Sequence, residues 1–352
     1  MSRSGAERRA AFIEAAAAAA HAWRDPAHPA RAEAVARTLE APNRFTEEAV
    51  AYAVNVEMHR LTSEALGAWL GERVAARPGA VGVLHEGRVP MGDLAAGLAV
   101  ALMGRRWLGA LPEASPYLIP AFVEEVRRRA PDFPARFLPA EALGRKAEAL
   151  VTAGGDEARA YAAALCAAGE IPPERCFHRA ARYSVAVLDG RESEAEREGL
   201  AEDALLHEGL SPRNVAILFA PGETPPDPYL EAFALFRSVF PAHPRTPGAL
   251  QMQKAMLEAF GAPHAYGEGL EFLMSKGAPE PQAPGHLRWS EYDRLDEVGR
   301  WLVEHADVLA CVVARADVAA RLPASLPWTA PGQAHRPPLD PSDPLLAFLA
   351  AL

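Results

Sequence analysis

The residues Glu208-Gly209-Leu210-Ser211-Pro212-Arg213-Asn214-Val215 close a helical run and open an apolar strand, Val215-Ala216-Ile217-Leu218-Phe219. A tight turn between helix and strand is a natural place to hold up a nucleophile. Ser211 offers a hydroxyl there, which needs a base and correct aim, while Pro212 beside it offers no nucleophile. Two glycine turns, Gly87-Arg88-Val89-Pro90 and Gly154-Gly155-Asp156, sit where a strand hands over to a helix. Such turns let a backbone approach a phosphate at a helix N-terminus, although neither is a G-x-G-x-x-G fingerprint and an ordinary tight turn explains both. In His264-Ala265-Tyr266-Gly267-Glu268-Gly269, Tyr266 or Glu268 is placed to line a pocket, but no second ligand stands at a metal-binding spacing. His59, His85, His178, His207 and His286 are scattered singly and read as structural or surface histidines. No G-x-S-x-G elbow occurs, so a Ser-His-Asp hydrolase is not indicated.

The elements that must position these groups alternate. The first eighty residues read as helices, with Ala15 to Ala20 on an amphipathic helix rather than a signal peptide. Thr46 is an N-cap before the first-turn acids Glu47 and Glu48, and a helix from Ser63 runs towards Ala76. Strands are expected over 80–85, 107–111, 149–152 and 184–188, with helices over 93–103, 117–129, 156–168 and 193–206 between and after them. That alternation implies a parallel sheet covered on both faces. A second unit opens at Ser211-Pro212, with strands over 215–219, 270–275 and 308–313 and helices over 229–239, 248–260 and 295–304. The stretch 331–340 is too rich in proline for regular structure.

Composition narrows the function. The chain has 352 residues, half of them hydrophobic, which is enough for a large core in one domain or two lobes. A net charge of -10 excludes the basic footprint of a nucleic-acid surface, and Arg105-Arg106 and Arg127-Arg128-Arg129 read as solvated helix ends. No apolar run approaches the roughly 18–20 residues that span a bilayer, so a cytoplasmic, non-transmembrane protein is expected. Cys166, Cys176 and Cys311 have neither zinc-cluster spacing nor a disulfide framework. Cys166 reads as part of an apolar helix, Cys176 as a strand start and Cys311 as part of a core strand.

Several phrases, in order from about residue 50 to 345, add a resemblance. They are Val54-Asn55-Val56-Glu57-Met58-His59-Arg60-Leu61-Thr62, Val83-Leu84-His85-Glu86-Gly87-Arg88-Val89-Pro90, Ser115-Pro116-Tyr117-Leu118-Ile119-Pro120-Ala121-Phe122 and Arg182-Tyr183-Ser184-Val185-Ala186-Val187-Leu188. Gly209 to Val215, Phe240-Pro241-Ala242-His243-Pro244-Arg245-Thr246-Pro247-Gly248-Ala249-Leu250 and Gly332 to Asp340 complete the set. Together they resemble the acyl-CoA reductases of the bacterial bioluminescence fatty-acid-reductase type, a branch of the aldehyde dehydrogenase superfamily. The resemblance implies NADPH- or NADH-dependent reduction of a fatty acyl-CoA to an aldehyde, with a cysteine thiolate taking the acyl group before hydride releases the product.

It also implies an α/β, two-lobed aldehyde-dehydrogenase-like fold. Residues 1–79 would be a helical region packed on a Rossmann-like, parallel-sheet cofactor-type domain over 80–207. A smaller α/β catalytic-type domain would cover 208–330, and 331–352 would be a C-terminal tail. Gly87, Pro90, Ala110, Gly154 and Gly155 would then face the cofactor. Three positions depart from the family. The cysteine of its Gly-Cys-Arg-Asn-Val turn reads Pro212, with Ser211 before it. The oxyanion asparagine of its Gly-Asn-x-Pro turn reads Arg88, whose longer cationic chain would place a donor differently. Its Gly-Lys-Leu-Ser-Ser strand end reads Gly109-Ala110-Leu111-Pro112-Glu113, losing an amine and gaining an acid. Three readings stay open: an acyl-CoA reductase with a modified site, a non-catalytic relative acting as a binding or interaction subunit, and, more weakly, another reaction on the same scaffold. Expected partners are fatty acyl-CoA for the first and an active reductase or acyl-transfer enzyme for the second, and the superfamily's use of its C-terminal segment in assembly implies a homodimer for either.

Overall fold

The computed structural model describes residues 5–75 and 77–352. Its opening is helical, as expected: α1 (Gly5–Ala22), α2 (Pro29–Glu40), α3 (Glu47–Arg60) and α4 (Ser63–Leu70). The Thr46 hydroxyl accepts the Ala49 N–H at 3.2 Å and so fixes the start of α3. The helix from Ser63 stops at Leu70 rather than continuing, because Gly71 turns left-handed at φ 54° and its N–H closes on the Gly67 carbonyl. Met1–Ser4 and Ala76, towards which that helix was expected to run, lie outside the described residues.

Next come β1 (Ala80–Leu84), α5 (Leu94–Leu102), β2 (Arg106–Ala110), α6 (Leu118–Arg127), β3 (Ala135–Phe137), α7 (Ala140–Lys146), β4 (Ala149–Gly154), α8 (Asp156–Ala168) and β5 (Cys176–Ala180). They form a five-stranded parallel sheet in the order β3-β2-β1-β4-β5. Strands buried on both faces must be apolar almost throughout, and β1 and β4 are. On one face Ala80, Leu108, Ala110 and Leu150 pack with Leu143 of α7 and Leu165 of α8. On the other, Gly97 of α5 lies so close to the Trp107 indole that an added Cβ would be 2.1 Å from the ring.

Cys166 of α8 and Cys176 of β5 are joined as a disulfide across 10 residues of sequence, which corrects the expectation that no disulfide forms. Spacing in sequence gave no hint because α8 and β5 meet only after the chain turns back at Gly169. Cys311 is the free, buried thiol.

The second unit holds β6 (Tyr183–Val187), α9 (Glu194–Leu205), β7 (Val215–Pro221), α10 (Asp227–Val239), α11 (Thr246–Ala259), β8 (His264–Tyr266), β9 (Leu273–Lys276), β10 (His286–Tyr292), α12 (Leu295–Glu304), β11 (Leu309–Ala314), α13 (Ala316–Ala319) and β12 (Trp328–Thr329). The sheet order is β12-β11-β6-β7-β10-β9-β8, parallel except for β8 against β9. Its two faces carry separate apolar clusters around Phe233 with Trp289 and around Phe219 with Leu302.

Contacts divide the chain into residues 1–43, 50–180 and 338–352, and residues 44–49 and 181–337. The sequence boundary at 207/208 therefore moves to 180/181. The reason is the pairing of β6, which hydrogen-bonds β7 and β11 rather than any strand of the first sheet. The expected tail also divides, for 331–337 belongs to the second unit and 338–352 returns to the first. Residues 331–340 are irregular as expected, but α14 (Pro344–Ala351) follows them. Among the described residues no helix is long and apolar enough to cross a membrane.

Candidate functional site

The five-stranded unit has its topological switch point between β1 and β4, where successive crossovers depart in opposite directions. The loop after β1 carries two left-handed non-glycine residues, Met91 at φ 57° and Asp93 at φ 62°. Such conformations persist only where neighbours over-determine them. Here the Asp93 carboxylate accepts the Glu86 N–H at 3.1 Å, and Pro90 and Met91 are buried. Gly87 sits against the loop after β2, since an added Cβ would lie 3.0 Å from Pro112 Cβ and 3.1 Å from Ala114 Cβ. Gly154 closes β4 at φ 124°, and a Cβ there would be 2.7 Å from Glu86 Oε1. Gly155 has open space around it and precedes α8. Gly87, Gly154 and Gly155, with buried Ala110 at the end of β2, thus lie together at the carboxyl ends of the central strands, and Glu86 bridges the two glycine loops. Arg88 is exposed and acts on this edge through its charge.

The electrostatics there are acidic. Burial raises the Glu86 carboxyl above its usual range, with Asp93 adding to the shift and Arg88 opposing it. Burial lowers the His85 imidazole, whose Nδ1 lies 3.2 Å from the Gly92 carbonyl and whose Nε2 is buried without a hydrogen-bond partner. Asp156 and Glu157 occupy the first turn of α8, where a phosphate would have to bind. The crevice beside the switch point is small and lined mostly by apolar side chains, among them Val83, Val151, Phe177 and Leu345 of α14. A nicotinamide dinucleotide needs a larger site and donors for its pyrophosphate. These residues do not fit one in the arrangement described.

In the second unit, the turn before β7 is tied down at nearly every polar atom. The Ser211 N–H donates to Asn214 Oδ1 at 2.9 Å, and the Ser211 hydroxyl accepts the Arg213 N–H at 3.1 Å. The Pro212 carbonyl accepts from the Ser184 hydroxyl at 3.3 Å. Asn214 Nδ2 reaches the carbonyls of Asp203, Ala204 and Leu206 at 3.2, 3.1 and 2.7 Å, satisfying the end of α9. Just upstream, His207, Glu208 and Gly209 are left-handed in succession, at φ 54°, 59° and 72°. Glu208 is held in that conformation by Arg237 at 3.0 Å and by the Thr246 hydroxyl, all three side chains being buried.

No side-chain base is hydrogen-bonded to Ser211 among the described residues, so nothing activates its hydroxyl. Cys311 lies 3.2 Å from the Ser184 hydroxyl, and burial pushes its thiol up, away from thiolate formation. Tyr266 is exposed at the edge strand β8, under the Lys254 ammonium, and Glu268 is exposed as well. No group of three or more histidine, cysteine or carboxylate side chains is arranged to hold a metal among the described residues. Glu86, Asp93, Arg179 and Asp343 were not singled out from sequence. The two glycine turns flag the region of the first two, and nothing local flags Arg179 or Asp343.

No family model matches the chain, and no curated protein matches it. Solved structures do. An indole-3-acetaldehyde dehydrogenase in complex with NAD+ superposes with a TM-score of 0.66 at 15% identity, covering 93% of this chain and 76% of the other. A benzaldehyde dehydrogenase of Corynebacterium glutamicum, described as NAD-dependent, gives 0.68 at 13% identity over 98% and 84%. A protein of Burkholderia cenocepacia described as an aldehyde dehydrogenase by assignment gives 0.69 at 12% over 98% and 86%. At such identities the likeness concerns the fold alone, and the chain has the aldehyde dehydrogenase fold.

Proposed function

We propose that this chain is a divergent relative of the acyl-CoA reductases that has given up covalent thioester reduction and serves as a non-catalytic binding or interaction subunit. The observation that carries this reading is the turn at Ser211–Asn214. It has no thiol, its hydroxyl accepts a backbone N–H, and its asparagine is consumed in closing α9. The phrases shared with the family include Asn214 and Gly332, each with a packing role that a catalytic role need not explain. Gly332, for instance, donates to the buried Asp203 carboxylate at 2.7 Å. The altered positions, Pro212, Arg88 and Ala110, are those that would have touched the acyl group or cofactor. The neighbours' descriptions name NAD, whereas NADPH and a fatty acyl-CoA are ligands that only the sequence resemblance implies, and the acidic lining of the five-stranded unit is what argues against their productive binding here.

The test incubates the full chain with a fatty acyl-CoA and NADPH or NADH, following cofactor oxidation and covalent acyl-protein by mass spectrometry. Neither aldehyde nor acyl adduct is expected. Turnover abolished by Ser211→Ala would overturn the proposal in favour of an enzyme with a displaced nucleophile.

A further inference from the structure

We propose that the outer face of α11 is an interface on which a second copy of this chain docks in an antiparallel, two-fold arrangement. This concerns assembly and stands whether or not the chain turns over a substrate. α11 turns Thr246, Leu250, Gln253 and Leu257 towards its own unit, at the spacing of one helix face. Thr246 and Leu250 are buried, and Gln253 reaches His286 of β10. A solvated outer face is ordinarily polar. Here every exposed residue from Gly248 to Phe260, other than Gln251 and Glu258, is apolar or glycine. Met252 is 75% exposed, Met256 54% and Phe260 80%.

These three side chains follow one another at i, i+4 spacing and form a single ridge along the helix. Beside the ridge runs a row of small side chains, Ala255 and Ala259. Its far end is fixed by the helix terminus. The Phe260 N–H donates to the Met256 carbonyl at 3.0 Å, and Gly261, left-handed at φ 62°, lets the Ala262 N–H close on the Leu257 carbonyl at 2.9 Å. A ridge and a shallow row on one face are complementary to themselves, which is what a two-fold interface requires. With the axis passing beside Met256, Met252 of each copy meets Phe260 of the other. Each ridge then settles between the other's ridge and its alanines, and ridges of this row cross at about −50°.

Charge and area favour a second copy as the occupant. The chain carries a net charge of -10, so two copies repel over most of their surface. On α11 only Lys254 and Glu258 are charged, and they pair with each other along the helix, which leaves the ridge neutral. A partner selected by opposite charge would find nothing to read there. The exposed ridge and its alanines amount to on the order of 500 Å², the size of the largest apolar patch on a typical monomer. Two such faces bury about 1,000 Å² together, at the lower bound of a specific interface and well short of an obligate dimer. The assembly is therefore a weak dimer that depends on concentration.

The experiment is sedimentation velocity of the full chain from about 1 to about 200 µM, where a dissociation constant on the order of 10 µM is expected. Met256→Asp sets like charges against each other at the axis, and Phe260→Asp buries a charge against Met252 of the other copy. Each is expected to weaken the dimer by about tenfold or more. The urea midpoint should hold, because both side chains are exposed in the single chain. Met256→Cys lies beside its own counterpart and should form an intermolecular disulfide with the oxidant diamide faster than Met252→Cys, which faces Phe260. A chain that stays monomeric over the whole range, or a dimer that both aspartate variants leave intact, overturns the proposal. A dimer dispersed by the aspartates in which Met252→Cys cross-links faster than Met256→Cys overturns the antiparallel arrangement.

Discussion

Asn214 reaches three carbonyls through one amide nitrogen, and its oxygen accepts the Ser211 N–H. This single side chain joins the end of α9 to the start of β7, across the left-handed run 207–209. Leaving buried carbonyls without donors costs about 1–3 kcal/mol each before relaxation. Asn214→Ala is therefore expected to destabilise the protein by about 2–4 kcal/mol in urea denaturation, given that water recovers part of the loss. Ser211→Ala removes one hydroxyl acceptor at a half-buried position and should cost about 1 kcal/mol or less. Equal losses for the two variants would sink the view that Asn214 organises the turn. Pro212 fits the same view: its carbonyl serves Ser184, and its ring forgoes a donor the turn does not use.

At the scale of elements, close approach decides which small residues matter. Gly97 lets α5 settle on β2, and Gly97→Ala would drive a methyl into the Trp107 indole. Overpacking of this kind costs roughly 1–3 kcal/mol or more, read as a lower urea midpoint with an unchanged slope. A variant as stable as wild type would show that α5 can shift freely. The same elements explain what the sequence reveals. β1, β4, β6, β7 and β11 are apolar runs and legible as strands. β10 is not, because His286 and Ser290 interrupt it. Both are buried, and His286 is satisfied by Ser275 at 2.7 Å and by Gln253. Partners brought from distant elements make polar residues acceptable in a core, and no local pattern records that. β5 is legible only at its start, Cys176, because His178 and Arg179 interrupt it at a sheet edge. The glycine turns of the candidate site were legible because backbone geometry is local. The Arg179–Asp343 pair, 164 residues apart in sequence, was not.

Across the whole molecule, the buried histidines of the second unit set a pH dependence whose sign can be worked out. Burial lowers His207 and His286 to about 4 from 6.5, and holds His335 well below that value. His335 is depressed further by its neighbour His207 and by Arg213 and Arg336, while the Asp203 carbonyl opposes the shift. Below pH 6.5 the unfolded chain binds protons at these sites and the folded chain does not, so acid removes stability between about 6.5 and 4. Asp203 acts in the opposite direction. Burial raises it from 3.8 to about 7, although the Gly332 and Ala334 N–H groups both donate to it. Over the same window the folded state holds a proton on Asp203 that the unfolded state has lost, which offsets one histidine. A net of about two protons remains on the unfolded side, and each contributes on the order of 1.4 kcal/mol per pH unit. The urea midpoint should therefore fall steadily from pH 7 to pH 4.5, before acid titration of the ordinary ion-paired carboxylates begins. His286→Gln, which keeps a polar side chain between Ser275 and Gln253 but cannot titrate, should make that fall shallower by about half. An unchanged slope in this variant would mean that His286 is protonated in the folded protein and that its burial does not oppose the charge.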